Sequence, residues 1–289
     1  MNNEERLLDK KIINDGRRAY LPQPFFQSTI FIASRQRKVG EHRKNGLLVK
    51  RQNKWGDIIT IKSPLTLFCR PDMGVFLAAM ALFQKYIKKE PDFMRTHFCN
   101  ASDKSVWGAE FPVGELYDLT QTSSDRWSEL EASLMAIGST TISVHYADSQ
   151  KHGGRVGFDI GGLWLWRREK RNGRLGSLLQ LNPVKELVPD RNYLYGDALI
   201  CNKLKSDTAR SIFWALVCRE HVKGRVENYA QFCGVEPNRI WDWNRRQFLP
   251  ALDELQEYKY TIIHNDDDTV TIKRPAGKKD NNKCGRNSA

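Results

Sequence analysis

The chain lacks the close pairs of reactive side chains on which most enzyme chemistry depends. Its six cysteines, at 69, 99, 201, 218, 233 and 284, are never closer than fifteen residues. No zinc-ribbon or dithiol spacing exists, and the thiols read as reduced and mainly core. Its six histidines, at 42, 97, 145, 152, 221 and 264, are never nearer than seven residues. That removes the closely spaced pair which a metal-dependent tyrosine nuclease needs. No glycine-rich loop ends in Gly-Lys-Ser/Thr, and no Ser-His-Asp or paired-cysteine context occurs, so the sequence offers no triphosphate cradle, catalytic set, metal ligand set or cofactor site. Lone carboxylates such as Asp253 and Glu254 read as a solvated helical face. No apolar run approaches the length of a membrane span, and Glu4, Glu5, Asp9 and Lys10 interrupt any signal-peptide core. A cytoplasmic, non-enzymatic protein without a membrane partner is expected.

What the chain has in excess is positive charge. Forty-six Lys and Arg against 34 Asp and Glu leave a net charge of +12 over 289 residues. An anionic partner follows, and the sign favours nucleic acid over an acidic protein or a membrane surface. A hydrophobic fraction of 40% is enough for one large core or two modest ones.

The charge is accompanied by a pattern between Ser206 and Arg274. Ala209, Ile212, Phe213, Leu216 and Val217 recur at helical spacing, with Ser206 as cap and Asp207 in the first turn. Val226, Tyr229, Ala230 and Cys233 repeat the rule, Gly234 supplies a turn, and Pro237 restarts a helix. The spacing Ala230, Gly234, Ile240 suits a helix-turn-helix. The helix that follows carries Asn238, Arg239, Asn244, Arg245 and Arg246, groups able to bond phosphates and base edges. Tyr260–His264 and Thr269–Lys273 are β-rich runs joined by a turn-forming Asn265–Asp268, and Lys273 and Arg274 leave this wing as further candidate DNA ligands.

The first half repeats that order. Ile58, Ile59 and Ile61 suggest a strand, and a helical stripe of Val75, Ala78, Ala79, Leu82, Phe83 and Tyr86 follows a capping Asp72. Pro112 opens a short helix, Ser123 or Ser124 caps a longer one bearing Trp127, Leu130, Leu134 and Ile137, and strands are expected over Thr140–Tyr146 and Arg155–Ile160. The fold class is α+β, two tandem winged-helix domains. The expected divisions are a basic, partly flexible leader (1–55), an N-terminal winged helix (56–150), a basic tryptophan-containing interdomain hairpin (151–174), a C-terminal DNA-binding winged helix (175–275) and a disordered tail (276–289). The leader carries eight Lys or Arg between Arg35 and Lys54 against the single Glu41, and is either a solvated arm or a phosphate contact. Asp125, Glu129 and Glu131 make the first long helix acidic, so that domain either touches DNA through Ser123, Ser124 and Arg126 or serves as a protein contact. In the hairpin, Arg167, Arg168, Lys170 and Arg171 bring charge toward the tip, while Trp164 and Trp166 alternate with Leu163 and Leu165, so that one pair faces the core, with stacking of the indoles on bases as the other reading.

Pro250 must kink or split the helix from Pro237 to Tyr258, leaving 237–249 as the reading half. Setting its face by Ile240 and Trp243 buries one indole, and setting it by Trp241 and Phe248 buries the other. The periodicity leaves both open. On either setting a fragment spanning 175–275 is expected to bind DNA alone, and one spanning 56–150 much less.

Four strings now carry a resemblance: Leu178-Leu-Gln-Leu-Asn-Pro183; Leu204-Lys-Ser-Asp-Thr-Ala-Arg210; Arg245-Arg246 followed by Leu249-Pro250 and Leu252; and Ile272-Lys-Arg-Pro275. In order and spacing the chain resembles plasmid replication initiators of the RepC kind, tandem winged-helix proteins that bind repeated origin sequences, over about 56–275. It departs from them in its basic leader and tryptophan-rich hairpin. The resemblance implies initiation without catalysis by a monomer or weak dimer. Such a protein binds double-stranded DNA at directly repeated iterons, promotes opening of an AT-rich segment, and recruits replicative helicase and primase with or without a host initiator. The rival readings are a transcriptional repressor or DNA-organising protein, and a protein-interaction module.

Overall fold

Period-3.6 and period-2 apolar patterns sort the chain into helices and strands. The computed structural model describes residues 16–22, 31, 46–52, 56–89, 108–150, 154, 156–171, 174–184, 187, 193–217, 219–233 and 235–275. The first half runs β1 (Arg18–Pro22), β2 (Leu47–Gln52), β3 (Ile58–Ser63), α1 (Gly74–Lys89), β4 (Ala109–Pro112), α2 (Val113–Thr120), α3 (Trp127–Gly138), β5 (Thr141–His145) and β6 (Gly157–Ile160). A hairpin follows, built from β7 (Trp164–Arg167), β8 (Lys170–Arg171), β9 (Arg174–Leu175) and β10 (Leu178–Pro183). The second half runs β11 (Tyr193–Asp197), α4 (Ala198–Lys203), α5 (Asp207–Val217), β12 (His221–Arg225), α6 (Val226–Phe232), α7 (Ile240–Trp243), α8 (Leu249–Glu257), β13 (Thr261–His264) and β14 (Thr269–Lys273).

The architecture is α+β, with the winged-helix order helix, helix, helix, hairpin present twice. In the second unit the sheet order is β12-β14-β13, all antiparallel. Periodicity does not reveal β12, because its inward positions are only Val222 and Gly224 and its outward ones are His221, Lys223 and Arg225. The first unit is wired differently. Its hairpin β5-β6 extends a sheet of order β2-β3-β5-β6, and β4 pairs with β10 rather than with its own wing.

α1 is apolar almost all round, and every residue from Val75 to Phe83 is buried, as expected of a helix enclosed on all sides. Strands β1 and β4 and helices α2, α3 and α4 pack around it. The cap expected from Asp72 takes another form: its buried carboxylate accepts from the Phe68 amide at 2.7 Å, inside the turn Cys69–Met73 that precedes α1. Ser206 caps α5 as expected, its hydroxyl accepting from the Ala209 amide at 3.3 Å.

Three expected divisions differ in the structure. The leader contributes β1, paired antiparallel with β11 of the second half, and β2, paired with β3. The amide and carbonyl of Tyr20 are both held by the buried Gln84 side chain of α1. The remainder of the leader, including 32–45, and the tail 276–289 lie outside the described residues. The hairpin is not a free interdomain element either. β10 lies between β4 and β7 in a three-stranded sheet, and β8 and β9 close the far end.

The third difference is a shared core. Phe76 of α1 stacks on Trp164 at 5.5 Å and meets Trp214 of α5 at 6.4 Å, and Phe31 packs against both Phe76 and Trp214. The buried Arg210 of α5 donates to the carbonyls of Leu204 (2.8 Å), Cys69 (3.1 Å) and Asn202 (3.2 Å). Asn202 donates to the Gly74 carbonyl at 3.2 Å, and a Cβ on Gly74 would fall 1.8 Å from its Oδ1. Glycine is required there by close approach. Hydrophobic burial and buried polar bonds therefore both cross from one unit to the other.

Candidate nucleic-acid interface

The helix-turn-helix is held from beneath by Tyr229. Its ring lies 5.0 Å from Phe248, and its hydroxyl donates into the gap between the carbonyls of Val222 (3.0 Å) and Val270 (2.9 Å), tying α6 to two strands of the wing sheet. Burial pushes this phenol up to about 12. Ala230 is fully buried, and the Val235 amide donates to its carbonyl at 2.8 Å to close the turn. Gly234 itself lies outside the described residues.

Pro237 opens a single-turn 3-10 segment, Pro237–Arg239, that leads directly into α7. Between α7 and α8 the chain widens into a π turn, Asn244–Phe248, in which the Leu249 amide reaches back to the Asn244 carbonyl. Pro250, with no amide hydrogen and a ring that crowds the preceding turn, sits just beyond, and the wide turn accommodates it without a break. This also settles the helical face. The extra residue brings Trp243 and Phe248, five positions apart, to the same side, where both are buried and stack at 5.2 Å. Ile240 is half-buried beside them, and Trp241 is 74% exposed. Each of the two expected settings contributes one ring to the core.

Asn238, Arg239, Arg245 and Arg246 are all exposed. They differ in how their charge is used: Arg246 donates from Nε to Asp242 Oδ1 at 2.7 Å, one turn back, so its guanidinium offsets a carboxylate on the same surface. The wing hairpin forms as expected, with its turn closed by the Asn265 amide donating to the Thr269 carbonyl at 2.9 Å. Its turn carries Asp266, Asp267 and Asp268, and Asp268 adopts φ +57°. Asp267 accepts from the Thr269 hydroxyl and from Lys223 Nζ at 2.9 Å, and these bonds lower its carboxyl to about 2. Lys273 and Arg274 lie at the opposite end of the sheet, where Lys273 pairs in register with His221 and Thr261. The basic groups beside the acidic turn are instead Lys223 and Arg225, the latter at the start of α6. Sequence reading missed both, because the strand that presents them has too little apolar alternation to be seen.

In the first unit, Ser123, Ser124 and Arg126 are exposed at the start of α3. Asp125 is lowered chiefly by a hydrogen bond from Ser123, and Arg126 donates to both carboxylate oxygens of Glu129 at 2.9 and 2.5 Å. Two acids thus surround the one arginine. Arg168 is committed to the fold: its guanidinium covers the Trp127 ring at 4.2 Å, Nε donates to the Gly176 carbonyl at 2.7 Å, and Nη1 meets the Tyr117 hydroxyl at 3.4 Å. Trp164 is buried and donates to the Leu134 carbonyl, and Trp166 lies edge-on to Trp127, so both indoles face inward and Leu165 faces out. Arg167 is exposed 3.7 Å from Glu169, and Lys170 and Arg171 form β8 near the end of the hairpin.

Cys69, Cys201 and Cys233 are buried free thiols, and burial raises Cys201 to about 11 and Cys233 to about 12; Cys99, Cys218 and Cys284 lie outside the described residues. Among the described residues no three His, Cys, Asp or Glu side chains cluster to hold a metal, and no helix is long and apolar enough to cross a membrane.

No family model and no curated relative matches the sequence. Among solved structures, the chain is similar to the selenomethionine form of domains 2 and 3 of RctB, with a TM-score of 0.54 and 11% identity over 89% of this chain and 100% of that one. A second structure of RctB domains 2–3 gives a TM-score of 0.51 and 11% identity over 88% and 97%. The Pi initiator protein, solved in complex with iteron DNA, reaches a TM-score of 0.46 and 6% identity over 72% and 93%. At such identities the RctB likeness is one of fold.

Proposed function

We propose that this chain is a non-catalytic replication initiator of the RepC kind, which binds directly repeated double-stranded DNA at an origin, promotes opening of an adjacent segment and recruits helicase and primase. The observation that carries the DNA-binding reading is the outward face of the helical run 237–257. Away from the buried Trp243 and Phe248 it exposes Asn238 and Arg245, with Arg239 exposed at its N-terminal end, and it follows a two-helix turn clamped by Tyr229. A helix so mounted enters a major groove with its N-terminal half against base edges, and arginine there grips guanine O6 and N7 while asparagine grips adenine. The net charge of +12 supplies the salt-dependent attraction to phosphate. Arg167, Lys170 and Arg171 at the hairpin, Ser123, Ser124 and Arg126 at α3, and Lys273 and Arg274 at the wing sheet are subsidiary phosphate contacts in this proposal.

Footprinting the full chain on tandem direct repeats and on a single inverted repeat tests it. Protection of the direct repeats, weakened steeply by salt, is expected. Protection confined to one inverted repeat would assign the chain to the repressors instead.

A further inference from the structure

Trp241 is the most exposed large apolar side chain among the described residues, at 74%. It stands on the face of a helix whose other indole, Trp243, is 1% exposed. A tryptophan left in water forgoes one of the largest burial gains any side chain offers, so its position favours an apolar contact that the described residues do not make. Its neighbours narrow the choice. Asn238 and Arg245, three residues before it and four after, are exposed on the same ridge, with Trp241 and Arg245 about 40° apart around the axis. Asp242, the next residue in the chain, is offset by Arg246 at 2.7 Å.

On the outward face of a helix in a chain of net charge +12, an indole framed by an amide and a guanidinium matches the major groove, whose apolar group is the thymine C5 methyl. We infer that Trp241 reads a thymine methyl of duplex DNA, in a base pair next to one read by Asn238 or Arg245. The inference rests on the DNA-binding reading above and adds to it an A·T preference at a fixed position in each repeat.

The probe is a duplex recovered from a random-sequence pool by selection with the full chain, together with copies in which each thymine in turn is replaced by deoxyuridine, which lacks only the methyl. For the native chain, one replacement should weaken binding about fourfold, the worth of one methyl removed from water. Trp241→Ala should keep its thermal midpoint, because the ring supports no core, bind the parent duplex more weakly, and lose the response at that thymine alone. Trp241→Phe should retain part of the response. Indifference of the native chain to every methyl overturns the inference, as does a Trp241→Ala chain that keeps the same sensitivity, which would turn the indole over to a protein partner. If the pool yields no preferred sequence although binding is salt-dependent, the inference fails while nonspecific DNA binding stands. If the full chain binds no duplex even at low salt, the proposed function fails with it.

Discussion

At the scale of single residues, equal formal charge conceals unequal availability. Arg246 offsets Asp242, Arg126 is doubly bonded to Glu129, and Arg168 is spent on Trp127 and Gly176, whereas Arg239 and Arg245 stand exposed. Neutralising Asp242 releases Arg246 toward phosphate. Asp242→Asn is therefore expected to raise affinity for all duplexes alike and to steepen the slope of log affinity against log salt by about 0.9, the increment of one added phosphate contact. Anisotropy titrations at four salt concentrations measure it, and an unchanged slope would mean that Arg246 stays clear of the backbone. Arg168 calls for the opposite outcome. Arg168→Ala should lower unfolding free energy by about 1–3 kcal/mol, from the lost ring contact and the orphaned carbonyl. DNA affinity should be unchanged, and denaturant titration beside a binding curve separates the two effects.

At the scale of the element, the wide turn Asn244–Phe248 allows a proline-bearing helix to keep two rings five residues apart on one face. That arrangement depends on the platform under it. Tyr229→Phe leaves the Val222 and Val270 carbonyls without their shared donor and should cost about 1–3 kcal/mol. It also carries a pH signature. The phenol is raised to about 12 in the folded chain and titrates near 10 when unfolded, so the stability it contributes is complete below about pH 10 and is lost as pH rises toward 12. Urea midpoints at pH 8 and pH 11 should therefore lie closer together in Tyr229→Phe than in the native chain. Tyr260, which burial also raises, leaves a residual alkaline loss.

At the scale of the whole molecule, the two winged helices are joined by burial rather than by a linker. Phe31, Phe76, Trp164 and Trp214 form one aromatic cluster across them, β1 crosses from the leader to the second unit, and Arg210 holds the Cys69 carbonyl of the first. The full chain should unfold in one calorimetric transition, with van't Hoff and calorimetric enthalpies in agreement. A fragment spanning 175–275 would expose Trp214 and strip Arg210 of its bond to Cys69. It should lack cooperative melting and near-ultraviolet signal, against the expectation that it acts alone. Two separated transitions in the full chain would restore that expectation.

The sequence by itself determined the features that local physics controls. The stripes of α1, α3 and α5, the Ser206 cap and the β13-β14 hairpin all follow from spacing within a few turns, and so does the α+β, twice-repeated helix–hairpin order. Tertiary structure decided what depends on partners distant in the chain. β12 is a strand because β14 lies beside it, and Arg18–Pro22 is a strand because β11 does. Trp243 and Phe248 share the core because a π turn shifts the helical phase by one residue, which a fixed 100° step does not encode. The pairing of Arg126 with Glu129 and of Arg246 with Asp242 is local, at three and four residues along a helix, whereas the commitment of Arg168 depends on Trp127 and Tyr117, which only folding brings beside it.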